Sequence, residues 1–536
     1  MIEFKNHEPE KKPGKFRIWH LVPILLLILC GLICIEKWRG ESALEQWRAG
    51  KAAKGETYEA AEFLPACSPE AVKFTGDLKT ALDKLPKTMW NYGGQLLVFV
   101  PDGPGKWRRG SQVAQPVSWS WSGNPKPTWE GFAAVMQQAE PGLRELRQLL
   151  ANVPTGMDYD AIKAMASNSV IPNLVNLRLG SQALEGAALC DLHKGNLAEA
   201  VENLTALEEL LRYRSDDPGL VALMVRSAVA NLSAEITWDA LQAEDWTDAQ
   251  LARLQSVHYD SARFLAQLPR AFQAEMIARI NLLHRYKSEG LQTSLDRAEE
   301  MARQWGGSNP PVPAWRKWVF HPLWRAAWAE QEEMDYLKYA DRELGAVKAA
   351  LQHHSKEKLA AKLTSIRDAY QRPQAAWRFY GKLPGYETVD YGAPTIDSPP
   401  EACPYLDLRR AANVTMANLT RRELVSAAVA IKRYHLKHGT WPANLEDLTP
   451  EFLASVPIDY MDGKPLRYRR NPDNTWTLYS VGENFKDDGG NPLAKSAVSG
   501  REVDSPWRGA DWVWPQAKTG QLETQFLKTG LPGAGK

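Results

Sequence analysis

Residues 18–35 constrain this chain more than any other segment. They carry no formally charged side chain, and their core reads LVPILLLILCGLICI without a break. At about 1.5 Å per residue, such a run reaches roughly 27 Å as a helix, close to the hydrocarbon thickness of a bilayer. Pro23 falls near the start, where a missing backbone donor costs least. Lys11, Lys12, Lys15 and Arg17 precede the run, and basic residues stay on the cytoplasmic side. The expectation is a cytoplasmic tail over 1–17, one transmembrane helix over 18–35, and everything beyond on the far side. A cleaved signal peptide is the rival reading. It needs a small-x-small site, and Glu36, Lys37, Trp38 and Arg39 supply none. The small residues that precede a lipoprotein cysteine are likewise missing before Cys30 and Cys34. The expected location is therefore a bacterial inner membrane, single-pass, with the N-terminus cytoplasmic and the bulk of the chain periplasmic.

With 536 residues, the chain is long enough for two or three domains. Lys and Arg number 65 against 64 Asp and Glu, so no basic surplus points to nucleic acid. Residues 36–153 read as a stalk and a small mixed segment. The stretch 36–90 is rich in Ala, Glu and Lys, GGQLLVFVPDGPG reads as a strand closed by a turn, VSWSWSG alternates, and 131–153 returns to helical spacing. Residues 154–380 read as an α-helical domain. Leu174, Leu177, Leu184 and Leu189 mark one apolar face, and after HKGN the pattern resumes as Leu197, Ala200, Val201, Leu204, Leu207 and Leu211. This unit resembles a tetratricopeptide-type helical hairpin, although no strict 34-residue period recurs. A plain helical bundle is the equal alternative. Residues 381–404 read as a Pro- and Gly-bearing linker, and 501–536 as a frayed C-terminal tail.

Between them lies a segment, 405–500, of α+β character. Residues 419–438 make a helix with Leu424, Ala428, Ile431, Tyr434 and His435 on one face and Gly439 at its end. Pro442 follows, and Asn444 with Asp447 three residues later can cap a short helix. Strand-like pieces at 465–469 and 475–481 are joined by NPDN. The phrases AIKRYHLKHGTWPANLEDL, VPIDYMDGKPLRYR and TLYSVGENFKDDGG resemble the soluble domain of the type II secretion major pseudopilins. That resemblance implies a helix packed on a small sheet, with a calcium ion held by the Asp- and Gly-rich loop. The ligands it implies are Asp487 and Asp488, nearby carbonyls around Val481 and Glu483, and Asp462 or Asp459. Calcium wants six to eight oxygens on a flexible loop, yet DDGG is also simply a good turn. The chain departs from the family in its anchor, which lies far upstream and lacks the Gly and Glu of a processed pilin. It reads as a membrane-anchored protein carrying a borrowed module. The whole arrangement also resembles envelope proteins of planctomycete- and verrucomicrobia-type bacteria, which implies envelope placement.

No catalytic residues emerge. The chain has no G-x-S-x-G elbow, H-E-x-x-H helix, phosphate loop or dinucleotide fingerprint. His353 with His354, and His435 with His438, are the nearest approaches to a metal pair and read as solvated helix-end side chains. The aromatic- and arginine-rich stretch 314–333 reads as core packing, with a sugar or quinone platform or a membrane-facing helix as the alternatives. Cys67, Cys190 and Cys403 show no metal spacing, and a disulfide among them is left open. The functional expectation is a non-enzymatic, membrane-anchored extracytoplasmic binding or scaffold protein. It would have a protein partner in the envelope and a link to a type II secretion or pilus-like assembly. The alternative is an envelope hydrolase or carbohydrate-binding enzyme with its site in the helical domain.

Overall fold

The structure, a computed structural model, describes residues 21–87, 89, 100–101, 107–108, 129–161, 174–241, 243, 245–258, 261–289, 321–370, 409–491 and 510–514. These residues are mostly helical with few strands. The helices are α1 (Leu21–Ala52), α2 (Ala60–Phe63), α3 (Pro69–Asp83), α4 (Trp129–Leu150), α5 (Leu174–Lys194), α6 (Leu197–Leu210) and α7 (Leu220–Leu241). They continue with α8 (Asp248–Val257), α9 (Ser261–Glu289), α10 (His321–Ala327), α11 (Ala329–Gln352), α12 (Lys356–Tyr370) and α13 (Arg409–His438). The chain divides into two compact units. The first takes Met1–Thr57, Arg279–Ala340 and Pro384–Tyr405; the second takes Tyr58–Ala278, Asp341–Leu383 and Leu406–Lys536. The expected linker 381–404 lies outside the described residues.

In the first unit, α1 runs on past its apolar part, and its second half packs against α10 and the start of α11. Close approach is possible because residue 40 is glycine: a Cβ there would sit 2.9 Å from the Cβ of Glu330. Two buried carboxylates on α11 are paired beside this contact. Arg48 donates to Glu333 at 2.9 Å, His284 Nε2 lies 3.0 Å from the same carboxylate, and Lys287 pairs with Glu330. The expected transmembrane run is described from residue 21 onward. There the large apolar side chains stand exposed, among them Val22, Ile24, Leu27 at 73% and Ile35.

In the second unit the helical hairpin read from the leucine spacing is α5 and α6. Gly195, at φ +81°, makes the turn between them, a backbone conformation glycine adopts without strain. Helix α3 packs against α4, α5 lies on both α4 and α6, and α7 covers α5. Part of the expected stalk is thus core: Phe74, Leu78, Ala81 and Leu82 recur on one face of α3 and are buried. Ser68 caps this helix by accepting from Ala71 N at 3.3 Å, with Pro69 at the first position. Among the described residues one helix, α7, is long and apolar enough to cross a membrane by length and composition. Over half of its window is buried, and it carries Arg226 and Asp239 inside the protein, as a core helix does.

Helix α13 begins ten residues earlier than the sequence suggests and lies along α7 and α8. Its polar side chains bond to their ends and flanks. Asn418 donates to Ser227 O at 3.0 Å, Lys432 donates to the carbonyls of Leu241 and Ala243 at 2.7 and 2.6 Å, and Arg433 pairs with Asp248 at 2.7 Å. Arg422 is also buried, at 1% exposed, and its Nη2 donates to Glu208 of α6 at 2.9 Å.

Beyond α13 comes the 3₁₀ turn Leu445–Leu448 with the expected Asn444 and Asp447 capping box. Strands β1 (Val100–Pro101) and β2 (Trp107–Arg108) form one small pair, while VSWSWSG lies outside the described residues. Strands β3 (Ile458–Asp459) and β4 (Lys464–Pro465) form another, and β5 (Arg467–Arg470), β6 (Trp476–Ser480) and β7 (Trp512–Val513) make an antiparallel sheet in that order. The tail 501–536 was expected to fray, and β7 corrects this for 510–514. Trp512 and Trp514 are buried, and Asp511 accepts from Gly490 N and Asn491 N at 2.7 and 3.0 Å.

Removing one member of a buried ion pair strands the other charge in a dry interior. Arg422→Met should therefore lower the unfolding free energy by about 3–5 kcal/mol in a urea titration. The double change Arg422→Met with Glu208→Leu should recover most of that loss; an equal deficit in both variants would show that the pair is not what holds α13.

Candidate functional site

Strand alternation sorts the C-terminal sheet into two faces. Arg467, Arg469, Thr477 and Tyr479 fall on one, and Tyr468, Arg470, Trp476 and Leu478 on the other, as the pairing Arg467↔Tyr479 and Arg470↔Trp476 requires.

On the first face the structure places the carboxylates singled out as calcium ligands. Arg467 sits among them. Its Nη1 donates to Asp459 at 2.9 Å, its Nη2 to Asp462 at 2.5 Å, and its Nε lies 3.7 Å from Asp487. Asp459 is fully buried and also accepts from Ser480 Oγ at 2.8 Å, Val481 N at 2.9 Å and Met461 N at 3.0 Å. Burial pushes its carboxyl up from the usual range against these bonds. Asp487 accepts from Tyr479 Oη and Gly489 N, both at 3.0 Å. Asp488 turns aside to Asn484, 2.7 Å away. Asp462 and Asp487 are thus brought together with Asp459, and Asp488 is not. As arranged, the set does not fit a calcium ion, because the oxygens already face a guanidinium and backbone donors. Sequence reasoning missed Arg467 and Asp511. The signal for Arg467 was available: an arginine on the strand face that meets the Asp-rich loop.

The opposite face carries an aromatic ledge. His435 stacks on Trp441 with ring centroids 3.8 Å apart and planes at 15°, Trp441 meets Trp476 at 6.0 Å and 60°, and Tyr468 lies 6.3 Å from Trp476. Tyr468 donates to Pro442 O at 2.9 Å, which holds the loop bearing Trp441 against the strand. These four residues are half-buried. His438 packs on Tyr434 at 4.3 Å, and His354 on Tyr460 at 5.4 Å, so three of the four histidines singled out from sequence join ring contacts. Trp324 is core, whereas Trp315 and Trp318 lie outside the described residues. Cys67 and Cys190 are free thiols, and Cys403 lies outside the described residues.

The helical block holds a separate group of buried acids. Burial, reinforced by Glu235, raises Glu185 of α5 to about 8. Burial, with Glu185 and Glu235 nearby, holds Asp239 of α7 well above the carboxylate range. Both are buried in the helical core. Glu185 keeps its proton in the folded state up to about 8 but loses it near 4.5 once unfolded. The folded protein therefore binds more protons between those values, and stability falls as pH rises across that window. Urea midpoints measured near each limit should show this decline, and Glu185→Gln should flatten it by stabilising the upper end; an unchanged slope would count against a protonated Glu185.

For the sheet, Arg467→Met removes the shared counter-charge of three carboxylates and should cost about 3 kcal/mol of stability. Millimolar calcium should then raise the melting temperature of this variant and leave the wild type unmoved; a wild-type shift would restore the calcium site. Compared with family models, with curated proteins and with solved structures, the chain matches none, so the pseudopilin resemblance of 405–500 rests on its sequence phrases alone.

Proposed function

We propose that this chain is a single-pass inner-membrane protein whose extracytoplasmic part binds and positions a protein partner in the cell envelope. The observation that carries this reading is the exposed apolar surface of α1 from Val22 to Ile35. A helix apolar all round is stable where lipid or protein covers it, and among the described residues this stretch stands exposed. Lys11, Lys12, Lys15 and Arg17 on one side orient it with the N-terminus in the cytoplasm.

The partner's surface on this reading is the ledge of His435, Trp441, Trp476 and Tyr468. Tryptophan and tyrosine are enriched among the anchors of protein interfaces. The sequence phrases of 418–490 make a component of a type II secretion or pilus-like assembly the first candidate. The same rings favour a second reading, a carbohydrate-binding surface. The 60° angle between Trp441 and Trp476 gives no flat platform for a sugar ring, which ranks it behind the first.

Deleting 405–500 would remove α13 from the core, so surface substitutions make the cleaner test. Full-length protein bearing Trp441→Ala and Trp476→Ala should keep its fold by circular dichroism. It should lose in-cell crosslinking to an envelope protein by about thirtyfold, the effect of removing a hot-spot residue worth about 2 kcal/mol. Unchanged crosslinking sinks the ledge as the docking surface, and recovery of glycans alone shifts the reading to carbohydrate.

A further inference from the structure

A groove of about 430 Å³ opens beside α1 just past its apolar stretch, lined by Trp38, Arg39, Ser42 and Gln46 of α1 and by Gln331, Asp335 and Lys338 of α11. Its size suits a small polar ligand. Its height along the helix identifies which one. Trp38 stands three residues beyond Ile35 and Ser42 seven, or about 5 and 10 Å above the end of the apolar run. The headgroup layer occupies roughly the first 5–8 Å outside the hydrocarbon, so the lower wall of the groove lies within it. Trp38, 68% exposed, is the amphipathic residue that favours this layer.

The charges of the groove and its rim balance. Arg39 and Lys338 supply two cationic groups, and Asp335 and Glu36 two anionic ones. Glu36 engages Arg39 through one nitrogen at 2.7 Å, and a guanidinium offers five N–H donors. The remaining donors and the Lys338 ammonium suit a phosphate diester, with Ser42 and Gln46 beside them. Asp335, on the same helix as Lys338 and across the groove from Arg39, suits a primary ammonium that can donate hydrogen bonds. Resting on the reading of α1 as a membrane anchor, we propose that this groove binds the phosphoethanolamine headgroup of a phospholipid in the periplasmic leaflet. The phosphate meets Arg39 and Lys338, and the ammonium meets Asp335. An anionic glycerol headgroup would leave Asp335 facing hydroxyls, and a choline headgroup would bring it a cation with no N–H to donate.

The test uses full-length protein taken from membranes. A high-salt and alkaline wash comes first: release of the protein by the wash overturns the anchor reading itself, and this inference with it. Protein that stays behind is purified in detergent, and its bound phospholipid is quantified by native mass spectrometry. The wild type should retain about one phosphatidylethanolamine per chain, enriched over its share of the membrane. Arg39→Gln with Lys338→Gln should cut retention about tenfold, since two charge-assisted contacts are lost from an exposed groove. Asp335→Asn should keep phospholipid but lose the preference for ethanolamine over choline in nanodiscs of equal composition. Retention of no lipid by the wild type, or equal retention by the double variant, overturns the site while leaving the anchor standing. A preference for phosphatidylglycerol overturns the ethanolamine assignment.

Discussion

The second unit depends on one buried ion pair, Arg422 with Glu208. Both are enclosed, and a charge taken out of water is tolerated only when its partner and hydrogen bonds are in place. Burial alone would push Glu208 upward, yet Arg422, with help from His258 and Ser233, brings it down to about 2. The opposite holds for His258, which burial and Arg422 lower to about 4, so it stands neutral beside an ionised pair at ordinary pH. α6 and α13 are 214 residues apart in sequence at this contact, and the pair fixes the one against the other. From there Arg421 reaches Asn231 at 2.6 Å and lies over Trp512 at 5.0 Å, so the arginine doublet on α13 meets both a core helix and the last strand.

That arrangement changes how the C-terminal segment is understood. Read from sequence it is a module that could be lifted from one protein to another. In the structure its helix is shared: Ala411, Ala412, Met416, Leu419, Leu424 and Ala428 are buried along most of its length. A sheet bonded to such a helix has little freedom to move by itself. A partner seated on the aromatic ledge would be coupled to the helices of the second unit through α13. Lys432 shortens that path by closing the C-terminal carbonyls of α7, where a cation also suits the helix dipole.

Local patterns carried a large share of this fold. Leucines at three- and four-residue steps and the glycine in HKGN gave the α5–α6 hairpin, and Asn444 with Asp447 gave the capping box. What stayed hidden depends on partners far away in sequence. Helix α3 reads as a stalk until Thr75 is seen 2.6 Å from Asp158, which in turn receives Arg214. Strand β7 is too short to announce itself and exists because Asp511 and Trp512 complete a surface built by other segments. The Asp-rich loop reads as a cation site, and in the structure the guanidinium of Arg467 faces its carboxylates.

The first unit poses the matching question for α1. A helix that carried an apolar run and then a loose stalk would leave its second half free to tilt. Here the helix continues unbroken to Ala52, and beyond residue 35 it is seated by Gly40 against Glu330 and by Arg48 against Glu333. Glycine at position 40 lets the backbones approach, and Glu333 sets the rotation of α1 about its own axis, because a helix turned by 100° would carry Arg48 away from it. Rotation decides which side chains of residues 36–46 face the groove and which face outward. On the reading of α1 as an anchor, the same contacts that stabilise the unit also hold it at a defined height above the hydrocarbon.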